Sequence, residues 1–378
     1  MTASLTAPLT GLPTNLGRTL RRSANALRLL GGLDRPHTGC TPHLVVWRKD
    51  RATLRRYRAG AVAGRPPLLL VPSLINRSHI WDLRPGDSFV EGLLERGYDV
   101  FLVDWGVADE RDADNTMATY VDDYLPAAYA AASDAAGAPP AVLGHCFGGV
   151  IATLWAATVA AGPATASPPA LVALGVPTNW AEMGPLSHIT QQGRINPEDV
   201  LDATGNVPPA ALLRAFQMLR PLGDLAGYVT LWDRLDERRT AQAIWALTDW
   251  AHDHVPFPGA AFVEMIRSLS RDNALLTGEV VLAGHPRRLA DITCPFLNVY
   301  GTHDHVTPPA SVAPLTEQIG SERNDTLVVR SGHIGLLVGG SARKQTLPKI
   351  TEWLASVEAD GKNSKDGCSI GRPRVGGG

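Results

Sequence analysis

The sequence predicts an α/β fold with a mainly parallel sheet, helices on both of its faces, and a helical cap inserted late in the chain. Three observations predict it. Short, nearly continuous apolar strands alternate with helix-length segments from about residue 41 onward. A glycine-flanked turn, Gly144-His145-Cys146-Phe147-Gly148-Gly149, stands between an apolar strand and an apolar helix. From about Leu186 to Leu275 the alternation gives way to helix-rich sequence that bears Trp232, Trp245 and Trp250.

Taken in order, residues 1–40 read as a basic arm, with Arg18, Arg21, Arg22, Arg28 and Arg35 and no acid before Asp34. An amphipathic helix is expected from about Leu16 to Leu30, as part of a solvated arm or packed against the core rather than on a lipid surface. Residues 41–185 form the first part of the core. Leu44-Val45-Val46-Trp47 and Ala52 to Tyr57 read as an opening strand pair, and Pro67 to Pro72 as a buried strand that leads into the loop Ser73 to Arg77. A helix near Ser88 to Arg96 precedes the strand Asp99 to Val103, and one near Tyr120 to Ala135 precedes the strand Pro140 to Leu143. Residues 186–275 read as the cap. The core resumes over 276–356, with strands at Glu279 to Leu282, Pro295 to Tyr300 and Thr326 to Val329, and 357–378 read as a disordered tail rich in Gly, Ser, Lys and Arg. This is an α/β-hydrolase layout.

Composition narrows the function classes. The 35 basic and 37 acidic residues of this 378-residue chain give a net charge of -2, so no global field recruits nucleic acid or anionic lipid. Cys40, Cys146, Cys294 and Cys368 are too scattered for a disulfide framework or a Cys-x-x-Cys metal site, which fits a reducing cytoplasm. No apolar run approaches the roughly 18 residues of a membrane span, and no secretory h-region opens the chain.

The glycine-flanked turn has the form of a nucleophile elbow with cysteine in place of serine. Such a bend leaves no room for a Cβ two positions to either side, which Gly144 and Gly148 satisfy. In this layout the acid and the histidine follow the nucleophile, each on the loop after a late strand. Asp304, in Gly301-Thr302-His303-Asp304-His305, and His333, in Ser331-Gly332-His333-Ile334-Gly335, meet that order. Cys146, Asp304 and His333 are therefore the expected triad. A free thiol with a pKa near 8.5 is mostly protonated at neutral pH, and an adjacent imidazole and a helix N-terminus favour the reactive thiolate. His303 and His305 flank the acid, and His252-Asp253-His254 repeats the pattern, but no third and fourth ligand follows at a recognisable spacing and no metal is expected. Asp104 reads as a support at a strand end, Cys294 as packing and Cys368 as incidental.

Over about Thr41 to Trp353 the chain resembles the polyhydroxyalkanoate synthases, and is most similar to their short class III catalytic subunit, which lacks the long N-terminal domain of the larger classes. The resemblance rests on the cysteine elbow, Pro72-Ser73-Leu74-Ile75-Asn76-Arg77, Asp104-Trp105-Gly106, Pro256-Phe257-Pro258-Gly259, Asn273 to Glu279, Asp304 to Pro309 and Gly332 to Gly335. It implies polymerisation of (R)-3-hydroxyacyl-coenzyme A into an intracellular polyester, with release of coenzyme A through a Cys146-linked acyl intermediate. It implies no cofactor, the coenzyme A thioester being the substrate, and a cytoplasmic enzyme at the polyester granule surface with a noncatalytic second subunit or as a homo-oligomer. The oxyanion is expected to meet the backbone N–H of Phe147 and that of Leu74 or Ile75. Asp304 is expected to orient His333 or, as the family suggests, to assist activation of the incoming 3-hydroxyl. Two departures stand out: His145, where an apolar or amide side chain is expected, and Ser331 in place of a glycine. A thiol-dependent thioesterase, polyester depolymerase or acyltransferase using the same triad is the alternative. A noncatalytic protein that kept the fold is disfavoured by the intact triad.

Overall fold

The computed structural model describes residues 14–32, 36–57, 65–162, 167–190, 194–219, 229 and 231–367. Its centre is an eight-stranded sheet in the order β1-β2-β4-β3-β5-β6-β11-β12. The strands are β1 (Leu44–Lys49), β2 (Ala52–Tyr57), β3 (Pro67–Val71), β4 (Asp99–Asp104), β5 (Ala141–His145), β6 (Leu171–Leu174), β11 (Phe296–Gly301) and β12 (Asn324–Val329). β1 and β2 pair antiparallel, as does β2 with β4, and every later pairing is parallel.

Alternation along each strand splits the apolar side chains between two cores. Leu69 and Val71, Phe101 and Val103, and Val142 face a cluster completed by the helices α3 (Leu125–Ala136) and α4 (Phe147–Ala160). Leu68 and Leu70, Val100 and Leu102, and Leu143 face the opposite cluster, built with α2 (Phe89–Leu94) and Leu347, Ile350 and Leu354 of the C-terminal helix. A strand covered on both faces needs no polar side, which is why β3 and the Ala141 to Leu143 part of β5 read as unbroken apolar runs. The helix ends carry local signals: the Ser88 hydroxyl accepts the Glu91 amide at 3.0 Å, and α3 stops at Gly137 with φ 73°.

β6 was not among the expected strands. Its four residues carry too short a pattern to be told from a loop, and only pairing with β5 on one side and β11 on the other defines it. The Glu279–Leu282 strand, β9, lies outside the main sheet and forms a hairpin with β10 (His285–Arg288) across Ala283 and Gly284, both at positive φ.

Between β6 and β9 run the helices Pro185–Thr190, Pro209–Leu219, Arg238–His252 and Gly259–Glu264, with a two-residue antiparallel pair of β7 (Asn206–Val207) and β8 (Phe257–Pro258). The N-terminal helix α1 (Thr14–Leu30) packs on this segment rather than on the sheet. Leu29 is buried with Leu231, Leu235 and Ala241, and Arg22 faces Asp233 at 3.7 Å and Asp236 at 3.5 Å. At the other end the C-terminal helix continues to Gly367, past the expected start of a disordered tail at 357. Trp353 Nε1 donates to Asp325 at 2.7 Å, and Arg323 on the sheet edge reaches Ser356 and Asp360, which holds the helix down beyond that point. Residues 368–378, Cys368 included, lie outside the described residues.

Candidate active site

Cys146 is the residue between β5 and α4, at φ 55° and ψ −129°, a strained conformation for a side chain with a Cβ. Backbone bonds hold the bend: its N–H donates to the Leu174 carbonyl at 2.9 Å, and its own carbonyl accepts from Gly149 at 2.9 Å and Val150 at 3.2 Å. The glycines are required by close approach. A Cβ at Gly144 would lie 2.5 Å from the Gly149 Cα, and one at Gly148 would run into the Pro72 carbonyl. The elbow is thus pressed against the start of the 73–77 loop, whose Pro72 carbonyl also accepts Trp105 Nε1 at 2.8 Å.

Asp304 and His333 come from the loops after β11 and β12. His333 Nδ1 donates to Asp304 Oδ2 at 2.7 Å, and both residues are buried. The other carboxylate oxygen accepts the backbone N–H groups of Val306 and Thr307, each at 2.8 Å. Thr307 was not singled out from the sequence, yet its hydroxyl donates to Asp304 Oδ2 at 2.9 Å and lies 3.0 Å from His333 Nδ1. Gly175, just after β6, was also missed. A Cβ there would stand 3.1 Å from the His333 ring, so the turn that ends β6 needs glycine both for its φ of 57° and for the imidazole's place.

A family described by the alpha/beta hydrolase fold matches residues 66–340. The chain is 32% identical over 323 residues to the poly(3-hydroxyalkanoate) polymerase subunit PhaC of Allochromatium vinosum, a match covering 84% of this chain and 89% of that protein. The chain belongs to the poly(3-hydroxyalkanoate) polymerase family. It is also 29% identical to the PhaC subunit of Thiocystis violacea, over 90% of this chain and 94% of that one. The polymerase subunit PhaC of Cupriavidus necator is longer: at 28% identity the match covers 84% of this chain but 56% of its relative. Membership places the chain among enzymes, as a transferase, and removes the noncatalytic reading.

In this member of the polymerase family, Cys146 and His333 lie together on the wall of a cavity of about 350 Å³. Burial alone would lower the pKa of His333. The Asp304 carboxylate first, and then Cys146, outweigh it and raise the imidazole well above the ordinary histidine range. His333 Nε2 is buried, and Cys146 is close enough to act on the ring's charge. Burial likewise works against the Asp304 carboxylate, but His333 and Thr307 hold its pKa down. A proton that reaches the imidazole is therefore stabilised by the carboxylate beside it.

His145 packs behind the pair, its ring 4.6 Å from that of His333 and its Nε2 3.4 Å from the His333 carbonyl. Burial and then the His333 charge lower its pKa to about 3, so it stays neutral and supports the histidine without competing for its proton. Phe147 follows Cys146 at the first turn of α4, and Leu74 and Ile75 lie on the facing loop. Of the two loop amides, that of Ile75 already donates to the Ser73 hydroxyl at 3.3 Å.

Asp104 is not part of this cluster. It pairs with Arg55 and accepts the Gly106 amide at 3.1 Å. Cys294 is buried in the apolar core, where burial pushes its thiol up to about 12 and leaves it unreactive. Among the described residues no three His, Cys, Asp or Glu side chains are grouped as a metal site, and His303 and His305 do not converge with others. Likewise no helix among them is long and apolar enough to cross a membrane.

A second cavity, of about 320 Å³, also reaches Cys146, and its lining is almost wholly aliphatic and aromatic, with Met183, Leu186, Ile189, Leu212 and Phe262. The first is the more polar, with Ser73, Asn76, Arg77, Gln217, Thr248 and His254 on its wall. Ile75, Cys146, Phe216 and Val306 border both.

Proposed function

We propose that the chain polymerises (R)-3-hydroxyacyl units delivered as coenzyme A thioesters, with Cys146 carrying the growing acyl chain. The observation that carries this reading is a cysteine at the elbow, beside a buried His333–Asp304 pair, in a chain of the polymerase family. Sulfur suits a polymerase because exchange between two thioesters is nearly symmetrical, so loading preserves the activation of the acyl group.

His333 takes the Cys146 proton, and the thiolate attacks the thioester carbonyl. The oxyanion meets the Phe147 amide and an amide of the 73–77 loop, that of Leu74 or of Ile75. The carbon–sulfur bond to coenzyme A breaks, and the leaving thiolate takes the proton from His333. Elongation needs a second nucleophile. The 3-hydroxyl of the next unit gives its proton to His333, steadied by Asp304, and attacks the Cys146 thioester. The new ester is still a coenzyme A thioester at its far end, the freed Cys146 thiolate attacks it there, and coenzyme A leaves with the proton.

The two cavities that meet at Cys146 support the reading: the polar one suits the coenzyme A arm and the apolar one the acyl chain. That relatives of both lengths are named as polymerase subunits supports a partner subunit. Incubation with 3-hydroxybutyryl-coenzyme A tests the function when free thiol, free acid and insoluble polymer are scored separately. Thiol release with polymer and little free acid is the expected result. Thiol matched by free acid, with no polymer, makes the chain a hydrolase instead.

A further inference from the structure

Much of the polar lining of the larger cavity is already engaged. The Ser73 hydroxyl accepts the Ile75 amide at 3.3 Å, Arg77 faces Asp253 at 3.2 Å, and His252 Nδ1 pairs with the Thr248 carbonyl at 2.7 Å. His254 differs. Only 8% of the residue is exposed, and its Nδ1 is buried without a hydrogen-bond partner among the described residues. Such a group is unfavourable to bury unless something in the working enzyme completes it.

The ring is held in place from two sides. His254 forms an isolated antiparallel bridge with Asn76, and the next amide, Val255, donates to the Ile75 carbonyl at 3.1 Å. The imidazole leans on Phe216, with ring centres 5.3 Å apart and an angle of 41°. These contacts tie His254 to the loop that borders Cys146. Burial first, then the charge of His252, lower its pKa to about 4 against the opposing pull of Asp253. At neutral pH the ring therefore offers one N–H donor and one lone pair.

We propose that His254 binds the substrate directly, by a hydrogen bond to the amide nearest the thioester in the pantetheine arm of coenzyme A. The inference rests on the polymerase reading and adds to it the group that recognises the leaving thiol. The sulfur that departs must sit beside Cys146, and the arm carries its first polar group, an amide, two carbons beyond that sulfur. The apolar cavity has little to offer an amide, so the arm runs along the wall that contains His254. A site built to hydrogen-bond a polar group discriminates against analogues that lack it.

Coenzyme A release, or its equivalent, is measured in single turnovers with three donors: 3-hydroxybutyryl-coenzyme A, the N-acetylcysteamine thioester, which keeps the amide, and the S-butyl thioester, which lacks it. His254→Phe, which preserves the ring packing against Phe216, is expected to lower kcat/KM for the two amide-bearing donors about 10-fold and to change the S-butyl donor by less than about 2-fold. His254→Asn, which restores a donor and an acceptor, is expected to recover part of the difference. Equal losses on all three donors, or no loss on any, overturn the proposal while leaving the polymerase reading intact. Should His254→Phe fail to fold, His254→Leu is judged by the same criteria. A wild-type protein that accepts none of the donors sinks both readings together.

Discussion

At the scale of single residues, the site depends on how one imidazole is held. Thr307 bridges Asp304 and His333 with one hydroxyl, so Thr307→Val, close in volume, removes the bridge and leaves the packing. A loss of about 10-fold in the rate of Cys146 acylation is expected, read as the thiol burst in a single turnover; a burst at the wild-type rate contradicts the role. His145 makes a different prediction, in stability. Its folded pKa lies near 3, below the usual value of about 6.5, so it contributes stability above pH 6.5 that is lost as acid protonates the unfolded chain first. Between pH 7 and pH 5 that loss amounts to about 2 kcal/mol. Urea titrations at the two pH values should show His145→Phe losing that much less than wild type, and equal losses speak against a neutral buried His145. Cys146, Asp304 and His333 were legible in the sequence because each sits in a short motif at a strand end. Thr307 was not, because a hydroxyl three residues past an acid has the same spelling whether it caps a turn or bonds a histidine.

At the scale of elements, the elbow works because β5, α4 and the end of β3 meet without side chains between them. Gly148 is pressed on the Pro72 and Val71 carbonyls, which are backbone and cannot turn aside. Gly148→Ala is expected to destabilise the fold by about 3 kcal/mol or more, seen as a drop in the urea midpoint; an unchanged midpoint contradicts the packing. The elbow strand and helix were readable from apolar period and glycine placement, and the N-terminal helix from its basic, amphipathic pattern. β6 escaped because four residues carry no period, and its identity comes from neighbours distant in sequence. The C-terminal helix runs on into the expected tail because Arg323, on another element, anchors Ser356 and Asp360.

At the scale of the whole molecule, the order of the sheet brings three loops together at Cys146, and the segment between β6 and β9 supplies the facing walls of both cavities. The fold class was legible because alternation of apolar strands and helices is local. The cavities were not, since Leu212, Phe216, Trp250 and His254 acquire their meaning only when folded over the elbow. His252-Asp253-His254 resembled a metal pattern for the same reason: spacing along the chain does not say which ring turns inward. What joins these parts into one enzyme is the claim that Cys146 carries the chain. Quenching the protein seconds after mixing with 3-hydroxybutyryl-coenzyme A, and weighing its proteolytic fragments by mass spectrometry, tests that claim directly. A ladder of 3-hydroxybutyryl additions is expected on the Cys146 fragment, absent from Cys146→Ala. Polymer and free coenzyme A forming while that fragment stays unmodified, or the ladder persisting in Cys146→Ala, contradicts it.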